Sequence, residues 1–198
     1  MKKEGLYMSK QQSISNHPII LGGSEVKKLA FKKKTHIVEQ VVDLLQPHVK
    51  ACHMVQQSIT GLIKHIDNNL AVVALTHNDE VLGFAKLYPY RLSNYDESPQ
   101  GYEFSSWIVH PAVAGNGIGG KILMKSVETY HKLNNPQAGF FAICVVENIV
   151  PQQKLLAAGG VLMERPIYAP NMLEAQTGQA HEEVIINLKT ILKKYEKQ

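Results

Sequence analysis

The sequence predicts a mixed α/β (α+β) fold, with a mostly antiparallel central sheet of about six or seven strands flanked by about four helices. Three observations predict it. Apolar runs at 70–76 and 81–88 flank a polar turn, and a third run at 103–109 extends this hairpin into a meander. A glycine-rich turn then opens a helix whose apolar residues recur at helical spacing. The apolar run 140–146 follows, so this crossover should be right-handed and its strand parallel to 103–109.

The segment before the meander predicts one weak strand and two helices. The strand spans 18–21 and ends at a pair of glycines. Thr35 can cap a helix over 36–45, which Pro47 should break. A second helix should run from about 50 to 66, because its apolar residues form one stripe.

The segment after the crossover predicts one more helix and two more strands. Pro151 suits the first turn of a helix that ends near Ala158. The strands should span 161–168 and 183–188, with a polar loop between them. Within the second hairpin strand, Gly83 predicts either a bulge or a close backbone contact.

Composition predicts a single globular domain of ordinary size. The chain has 198 residues, of which 44% are hydrophobic. Residues 17–198 should form the domain, preceded by a polar tail at 1–16. The tail resembles neither a signal peptide nor a membrane anchor, and no later run is long enough to cross a membrane. Whether Met1 or Met8 is the true start stays open.

Charge and cysteine usage exclude several classes of function. The net charge is +4, but the basic residues are almost all lysines, with Arg91 and Arg165 as the only arginines. Nucleic-acid sites are more often rich in arginine with interleaved aromatic residues, so no nucleic-acid partner is expected. Cys52 and Cys144 stand alone, which argues against a disulfide framework and favours a cytoplasmic protein. The histidines lack metal-ligand spacing, so no metal is expected.

The stretch 103–121 joins a strand, a short connection and a helix start. Pro111 ends the strand, and four glycines between 115 and 120 open the helix. The first amide groups of a helix are free and the helix dipole favours an anion there, while glycines let a diphosphate approach the backbone. The pattern predicts a phosphate cradle. A turn that only reverses the chain is the alternative.

Two familiar phosphate motifs match this stretch incompletely. The spacing Gly115-x-Gly117-x-x-Gly120 fits the dinucleotide pattern, but several residues separate it from the strand. The stretch also approaches a P-loop, except that Ile122 stands where magnesium binding requires serine or threonine. A nucleotide-binding protein, which would prefer ATP or NAD to coenzyme A, is therefore kept only as a third alternative.

A strand ending in Val-x-Pro, then spaced glycines, then a helix resembles the signature of the GNAT superfamily of N-acetyltransferases. That signature, Arg/Gln-x-x-Gly-x-Gly/Ala, falls on Ala114 to Gly119, with Ala114 in the place of the usual arginine or glutamine. The resemblance covers roughly 102–161. It implies a GNAT-like fold and acetyl-CoA, or another acyl-CoA, as co-substrate.

The resemblance also implies where the cofactor binds. Acyl-CoA would lie beyond the carboxyl ends of the strands, with its pantetheine arm on the strand backbone and its diphosphate on the glycine turn. Asn148 matches an asparagine that seats the cofactor, although a simple helix cap is an equal alternative. The predicted cofactor-binding residues are Trp107, Ile108, Val109, Gly115, Asn116, Gly117, Ile118, Gly119, Gly120 and Asn148.

The implied reaction is direct attack of an amine on the thioester carbonyl. The amide of Val109 would stabilise the developing oxyanion, and Glu103 would be the general base. By strand alternation, Glu103 should share a face with Trp107 and Val109. Other candidates for the base are Tyr102, His110, Glu147 and a bound water.

One catalytic position departs from the resemblance. Many members carry a tyrosine four residues before a glycine at the end of the late helix, where it protonates the thiolate. The matching residue here is Leu155 or Leu156, depending on which of the two glycines at 159–160 is used. A thiolate is a good leaving group, so turnover is expected without a tyrosine there, and whether another general acid exists stays open.

Two function classes follow. The first is an N-acyltransferase acting on a small amine, an amino acid or a protein amine. The second is a non-catalytic acyl-CoA sensor or partner-binding module on the same fold, which the missing arginine and tyrosine motivate. The resemblance implies acceptor sites at 36–66 and in the loop 169–181. Whether the protein is a monomer or a homodimer stays open.

Overall fold

A computed structural model of the chain describes residues 18–51, 54–90, 101–133, 138–163 and 183–191. The described helices are α1 (Ser24–Lys27), α2 (Phe31–Lys50), α3 (Ile59–Asp67), α4 (Ile118–His131) and α5 (Ile149–Ala157), with a 3-10 turn at Pro111–Val113. The described strands are β1 (Ile19–Gly22), β2 (Ala71–Leu75), β3 (Val81–Tyr90), β4 (Gly101–Val109), β5 (Gly139–Val145), β6 (Val161–Met163) and β7 (Glu183–Asn187).

The strands form one seven-stranded sheet in the order β1-β2-β3-β4-β5-β7-β6. All neighbouring pairs are antiparallel except β4 and β5, which are parallel. The predicted mixed, mostly antiparallel sheet is therefore confirmed, as are the meander β2-β3-β4 and the parallel crossover through α4. The predicted order of elements is also confirmed, with the short α1 as an addition.

Helices cover both faces of the sheet. On the α4 face, which α4 and α5 cover, Ile122 and Leu155 pack with Phe140 in one core cluster. On the α2/α3 face, Leu62 packs with Phe84 in a second cluster. Burying one such side chain contributes about 1.5–3 kcal/mol, so both layers hold the sheet in place.

The first long helix differs from its prediction at both ends. Helix α2 begins at Phe31, and Thr35 lies inside it, with its hydroxyl donating to the carbonyl of Phe31 at 3.1 Å. Pro47 does not break the helix, which continues to Lys50. Because Pro47 lies in the last turn, its missing amide removes only one hydrogen bond near a helix end.

The second predicted helix is shorter than expected. Helix α3 begins at Ile59 because Ser58 caps it, accepting a hydrogen bond from the amide of Gly61 at 3.0 Å. A Cβ on Gly61 would lie 2.9 Å from that hydroxyl, so the glycine makes room for the cap. The continuous helix predicted over 50–66 is therefore wrong.

Gly83 lies where the structure needs a small residue, as predicted. The register of β2 and β3 shifts by one residue beside it, between Ala74 and Leu75. A Cβ on Gly83 would lie 2.7 Å from Cδ1 of Ile122 and 2.8 Å from the carbonyl oxygen of Ile108. The glycine thus lets α4 lie close to the sheet.

Several predictions fall outside the described residues. These are the tail at 1–16, the part of the late strand beyond Met163, and the loop 169–181. No helix within the described ranges is long and apolar enough to cross a membrane.

Candidate active site

A β-bulge interrupts β4 at Ser106. Phe84 of β3 pairs with Ile108, whereas Lys86 pairs with Ser105, so Ser106 and Trp107 together lie opposite the single residue Ala85. Ser106 has a φ of 55°, a left-handed conformation that costs a non-glycine residue about 1–2 kcal/mol. A bulge of this kind kinks the strand and leaves one residue without a ladder partner.

The bulge turns Glu103 to the opposite face from the one predicted. Tyr102 and Phe104 belong to the core on the α4 face, so Glu103 between them faces α2 and α3. Beyond the bulge, Trp107 and Val109 pack on the α4 face. The expectation that Glu103 shares a face with them is wrong, because Ser106 adds one residue to the alternation.

A cleft opens between β4 and β5. The two strands pair only from Gly101 to Glu103, opposite Gly139 to Phe141, although both strands continue well beyond. Glu103 therefore lies at the closed end of this cleft. Parallel strands that separate in this way leave unpaired backbone groups along each wall.

The amides of Trp107 and Val109 point into the cleft. The amide of His110 donates to the carbonyl of Leu82 on β3, at 2.8 Å. Neighbouring amides of an extended strand point in opposite directions, so those one and three residues earlier point away from β3. They face the side from which β5 has separated.

The glycine turn forms an open cradle at the start of α4. Gly115 and Gly117 have φ values of 87° and 75°, which favour glycine. A Cβ on either of them, or on Gly120, would meet nothing within 4 Å. The first bond into the helix runs from the amide of Lys121 to the carbonyl of Gly117 at 3.1 Å, so the three preceding amides are free of helical partners. This arrangement suits a diphosphate.

Gly119 connects the cradle to the cleft wall. A Cβ there would lie 3.3 Å from Cζ2 of Trp107 and 3.4 Å from Cγ2 of Val109. The helix start therefore rests directly on the end of β4. The indole Nε1 of Trp107 is buried without a hydrogen-bond partner among the described residues.

A groove of about 510 Å³ continues from the cradle along α4, with Ile20 of β1 also lining it. Lys125 in the groove is paired with Glu25 at 2.9 Å and Glu128 at 3.0 Å. Lys121 is exposed at the cradle end, where its charge favours an anion. The groove does not include Glu103. Its lining residues are Ile20, Gly117, Gly120, Lys121, Met124, Lys125 and Glu128.

Glu103 has the acid–base properties of a general base near neutral pH. Its pKa is raised to about 7, mainly by burial and to a smaller extent by the negative charge of Glu183. A hydrogen bond from Ser105 and the charge of Lys86 both act in the opposite direction. The residue as a whole is half-buried, so its carboxyl group remains within reach of a ligand in the cleft.

Lys86 lies beside Glu103 and was missed by sequence reasoning. Its side chain is buried on the α2/α3 face, and its Nζ donates to Oε1 of Gln57 at 2.5 Å. The same nitrogen lies 5.5 Å from the ring centre of Tyr88. Burial lowers the pKa of Lys86 to about 8, against the opposing charge of Glu103. The available signal was a lysine within an otherwise apolar strand.

The other predicted bases occupy less suitable places. Tyr102 is buried on the α4 face, edge-on to the ring of Tyr130. The Nδ1 of His110 accepts from the amide of Ala112 at 3.2 Å and so caps the 3-10 turn. Glu147 is exposed beyond the end of β5. Tyr102 therefore lies at the closed end of the cleft but on the sheet face opposite Glu103, whereas His110 and Glu147 follow the far ends of β4 and β5.

The late helix α5 holds the remaining predicted positions. Asn148 is at its N-cap position, but its side chain makes no capping hydrogen bond. Instead, Nε2 of Gln152 donates to the carbonyls of Val145, Val146 and Asn148. Asn148 thus occupies the cap position without capping the helix through its side chain, and its role in seating the cofactor stays a prediction.

The two leucines that replace the tyrosine differ in exposure. Leu155 is only 1% exposed and belongs to the α4-face core. Leu156 is 37% exposed. Among the described residues, no group of three or more His, Cys, Asp or Glu side chains could hold a metal ion.

Comparison with protein families gives one match. The family model described as "Acetyltransferase (GNAT) family" matches residues 38–150, which is more than half of the chain. No curated protein sequence is detectably similar.

Several solved structures have a similar fold. The N-acetylglutamate synthase of Neisseria gonorrhoeae, complexed with coenzyme A and N-acetyl-glutamate, is 13% identical with a TM-score of 0.60. The match covers 87% of this chain but only 35% of that enzyme, so this chain spans about a third of its length.

Two further solved structures match most of both chains. The yncA protein of Salmonella typhimurium, with its cofactor acetyl-CoA, has a TM-score of 0.63, 13% identity, and coverage of 87% of this chain and 94% of its own. The phosphinothricin acetyltransferase of Sinorhizobium meliloti, in complex with acetyl-CoA, has a TM-score of 0.58 and 15% identity, covering 85% and 86%. At such identities the likeness shows the fold alone.

Proposed function

Because the chain belongs to the GNAT family of acetyltransferases, we propose that it transfers an acetyl group from acetyl-CoA to a primary amine. The observation that carries this proposal is the cleft between β4 and β5. Glu103 lies at its closed end, and strand amides lie along its wall. The open glycine cradle at the start of α4 lies beyond the other end of that wall.

The cradle and the cleft wall would bind the cofactor through the backbone. The free amides at 118–120 suit the diphosphate, and the empty space above the glycines admits it. The amide of Val109 points into the cleft and suits the pantetheine arm. The side chain of Asn148 makes no capping hydrogen bond to α5, so its amide group suits a further contact with the cofactor. Acetyl-CoA would supply an acetyl thioester activated toward nucleophiles.

The length of β4 decides which amide serves the acyl group. Six residues of extended strand span about 20 Å, so Glu103 and the amide of Val109 are too far apart to act on one carbonyl group. The amide of Trp107 belongs to the bulge, which shortens the strand, and lies two residues closer to Glu103. We therefore assign the oxyanion contact to Trp107 and the arm contact to Val109, in place of the expectation that Val109 serves both.

Glu103 would accept a proton from the attacking amine, directly or through one water. A positioned base of this kind typically contributes 10²–10⁴-fold to the rate. As nitrogen bonds to the carbonyl carbon, the carbon–sulfur bond breaks and the thiolate leaves. Because Leu155 and Leu156 stand where the family often has tyrosine, the thiolate would take its proton from solvent.

Release of free thiol tests the proposal. Acetyl-CoA is mixed with the full chain and a panel of primary amines, including small amines, amino acids and peptide amino termini. We expect amine-dependent thiol release that is lost in Glu103→Gln. Binding of acetyl-CoA without thiol release from any amine would favour the non-catalytic sensor, which Ala114 and the two leucines support.

A further inference from the structure

Lys86 and Glu103 carry opposite charges and lie near each other at the closed end of the cleft, without forming a salt bridge. Tyr88 is the strand partner of Glu103, and Ser105 is the strand partner of Lys86. Lys86 is therefore the diagonal neighbour of Glu103 on the same face, at the spacing of about 7–8 Å that diagonal neighbours have. No salt bridge joins the two side chains within 4 Å.

The ammonium group of Lys86 is poorly satisfied for a buried cation. It has three donors, yet within the described ranges its only acceptor is the neutral amide of Gln57. The ring of Tyr88 adds a weaker contact. Gln57 is itself held by the carbonyl of Val55 at 2.9 Å. Buried charges are normally paired with an opposite charge, so Lys86 leaves room for an anion.

Lys86 keeps its ammonium group at a buried place on the sheet. Burying an ammonium group costs several kcal/mol unless hydrogen bonds or an opposite charge offset the loss of water. The neighbouring His65, which contacts the ring of Tyr88, has its pKa lowered to about 4 by burial and by Lys86, so it is neutral near pH 7. Lys86 thus supplies the local positive charge beside Tyr88 and Glu103.

We propose that Lys86 binds a carboxylate carried by the acceptor next to its amine. The acceptor is then an amino acid or a closely similar compound, with the amine at Glu103 and the carboxylate at Lys86. The diagonal spacing of the two side chains suits groups that are one or two carbons apart. Gln57, Tyr88, Glu103 and Ser105 are all half-buried and border the buried lysine. This inference rests on the proposed acetyl transfer.

Matched acceptors test this inference. Each amino acid in the panel is compared with its carboxamide and with the amine that lacks the carboxyl group. For the wild-type protein we expect kcat/KM to be at least about tenfold higher with the carboxylate present. Lys86→Met also removes a charge that lowers the pKa of Glu103, so every acceptor should lose some rate. The carboxylate-bearing acceptors should lose clearly more kcat/KM than the others, and Lys86→Arg should keep part of the preference. Lys28→Met, which removes an exposed charge outside the cleft and outside the expected acceptor sites, serves as the control.

The possible results distinguish failure of the carboxylate site from failure of the proposed acetyl transfer. Acetylation of all three acceptor types with equal kcat/KM would overturn the carboxylate site and leave acetyl transfer standing. An equal loss for all acceptors in Lys86→Met would do the same. Absence of thiol release with every amine would overturn both. If Lys86→Met does not fold, Lys86→Gln takes its place, with the same expected loss of the preference and the same contrary outcome.

Discussion

Glu103 combines a raised pKa with an unusual place in its strand. Burial at the closed end of the cleft holds the pKa near 7, so the carboxyl group exchanges its proton around neutral pH. Lys86 and Ser105 lower that pKa, and Glu183 raises it. These neighbours come from three different strands. The acid–base behaviour of this residue is therefore a property of the assembled sheet.

Glu103→Gln should lower the rate of acetyl transfer by about 10²–10⁴-fold, because it removes the proton acceptor. Acetyl-CoA affinity should barely change, since the cradle lies at the other end of the cleft. The wild-type rate should rise with pH through about 7, and this ascending limb should vanish in the variant. Near-full activity with an unchanged pH profile would show that water or another group is the base.

The same residue should limit stability at alkaline pH. A carboxyl group whose folded pKa is raised favours the folded state at low pH, and this contribution is lost as pH rises through about 7. Glu103→Gln should therefore melt above the wild type at pH 8 and close to it at pH 5. Thermal melts at the two pH values measure the difference. Equal differences at both values would contradict a buried, pKa-shifted carboxyl group.

At the scale of elements, α4 packs directly on the end of β4, so the glycine cradle and the cleft wall are held next to each other. The first turn of α4 forms the cradle, and Gly119 rests on the side chains of Trp107 and Val109. Along the same helix, Ile122 approaches Gly83 of the neighbouring strand. The position of the cradle relative to the cleft wall therefore depends on glycine contacts at both places.

Gly117→Asp should abolish the rise in melting temperature that acetyl-CoA causes. A carboxylate would repel the diphosphate, and the side chain would fill space that is now open. Gly117→Asn is the matched control, because asparagine tolerates the left-handed backbone and carries no charge. We expect the asparagine variant to keep part of the shift. An undiminished shift in the aspartate variant would exclude the cradle as the diphosphate site.

Gly83→Ala should destabilise the fold by about 1–3 kcal/mol, as overpacking in a core does. Its Cβ would lie 2.8 Å from a backbone oxygen of β4, which cannot rotate away. Gly120→Ala is the contrasting variant, since its Cβ meets nothing and alanine favours the helix. Urea unfolding should show a lower free energy of unfolding for Gly83→Ala than for the wild type, and a higher one for Gly120→Ala. A stable Gly83→Ala would mean that α4 can shift outward without loss.

At the scale of the whole molecule, the two core clusters share one sheet. Neighbouring residues of the same strands supply both faces, as Ala85 does for the α4 face and Phe84 for the α2/α3 face. Neither layer of helices can keep its core without the sheet. The described elements should therefore unfold together.

Urea unfolding followed by fluorescence and by far-ultraviolet circular dichroism should give one coincident transition. Trp107 is the only tryptophan of the chain, so fluorescence reports on the α4 face and the cleft wall. Acetyl-CoA at 100 times its Kd should raise the free energy of unfolding by about 2.7 kcal/mol, whichever of the two signals is used to measure it. Transitions at different urea concentrations would indicate that the two faces unfold separately.

The sequence by itself determined the features that depend on local pattern. Alternating and helical periodicities predicted the meander, the helix α4 and the parallel strand after it, because burial of one face requires those repeats. The glycines at 115–120 predicted the cradle, because positive φ values and free first-turn amides need only that short stretch. The resemblance to the GNAT signature drew on the same residues.

Only the tertiary structure decided the direction and surroundings of the acid–base groups. The bulge at Ser106 depends on how β4 pairs with β3, and it moved Glu103 to the α2/α3 face. Lys86 acquired its burial and its acceptor from Gln57, 29 residues earlier in the chain. Register and burial arise from contacts between distant segments, and a single inserted residue reverses every side chain beyond it.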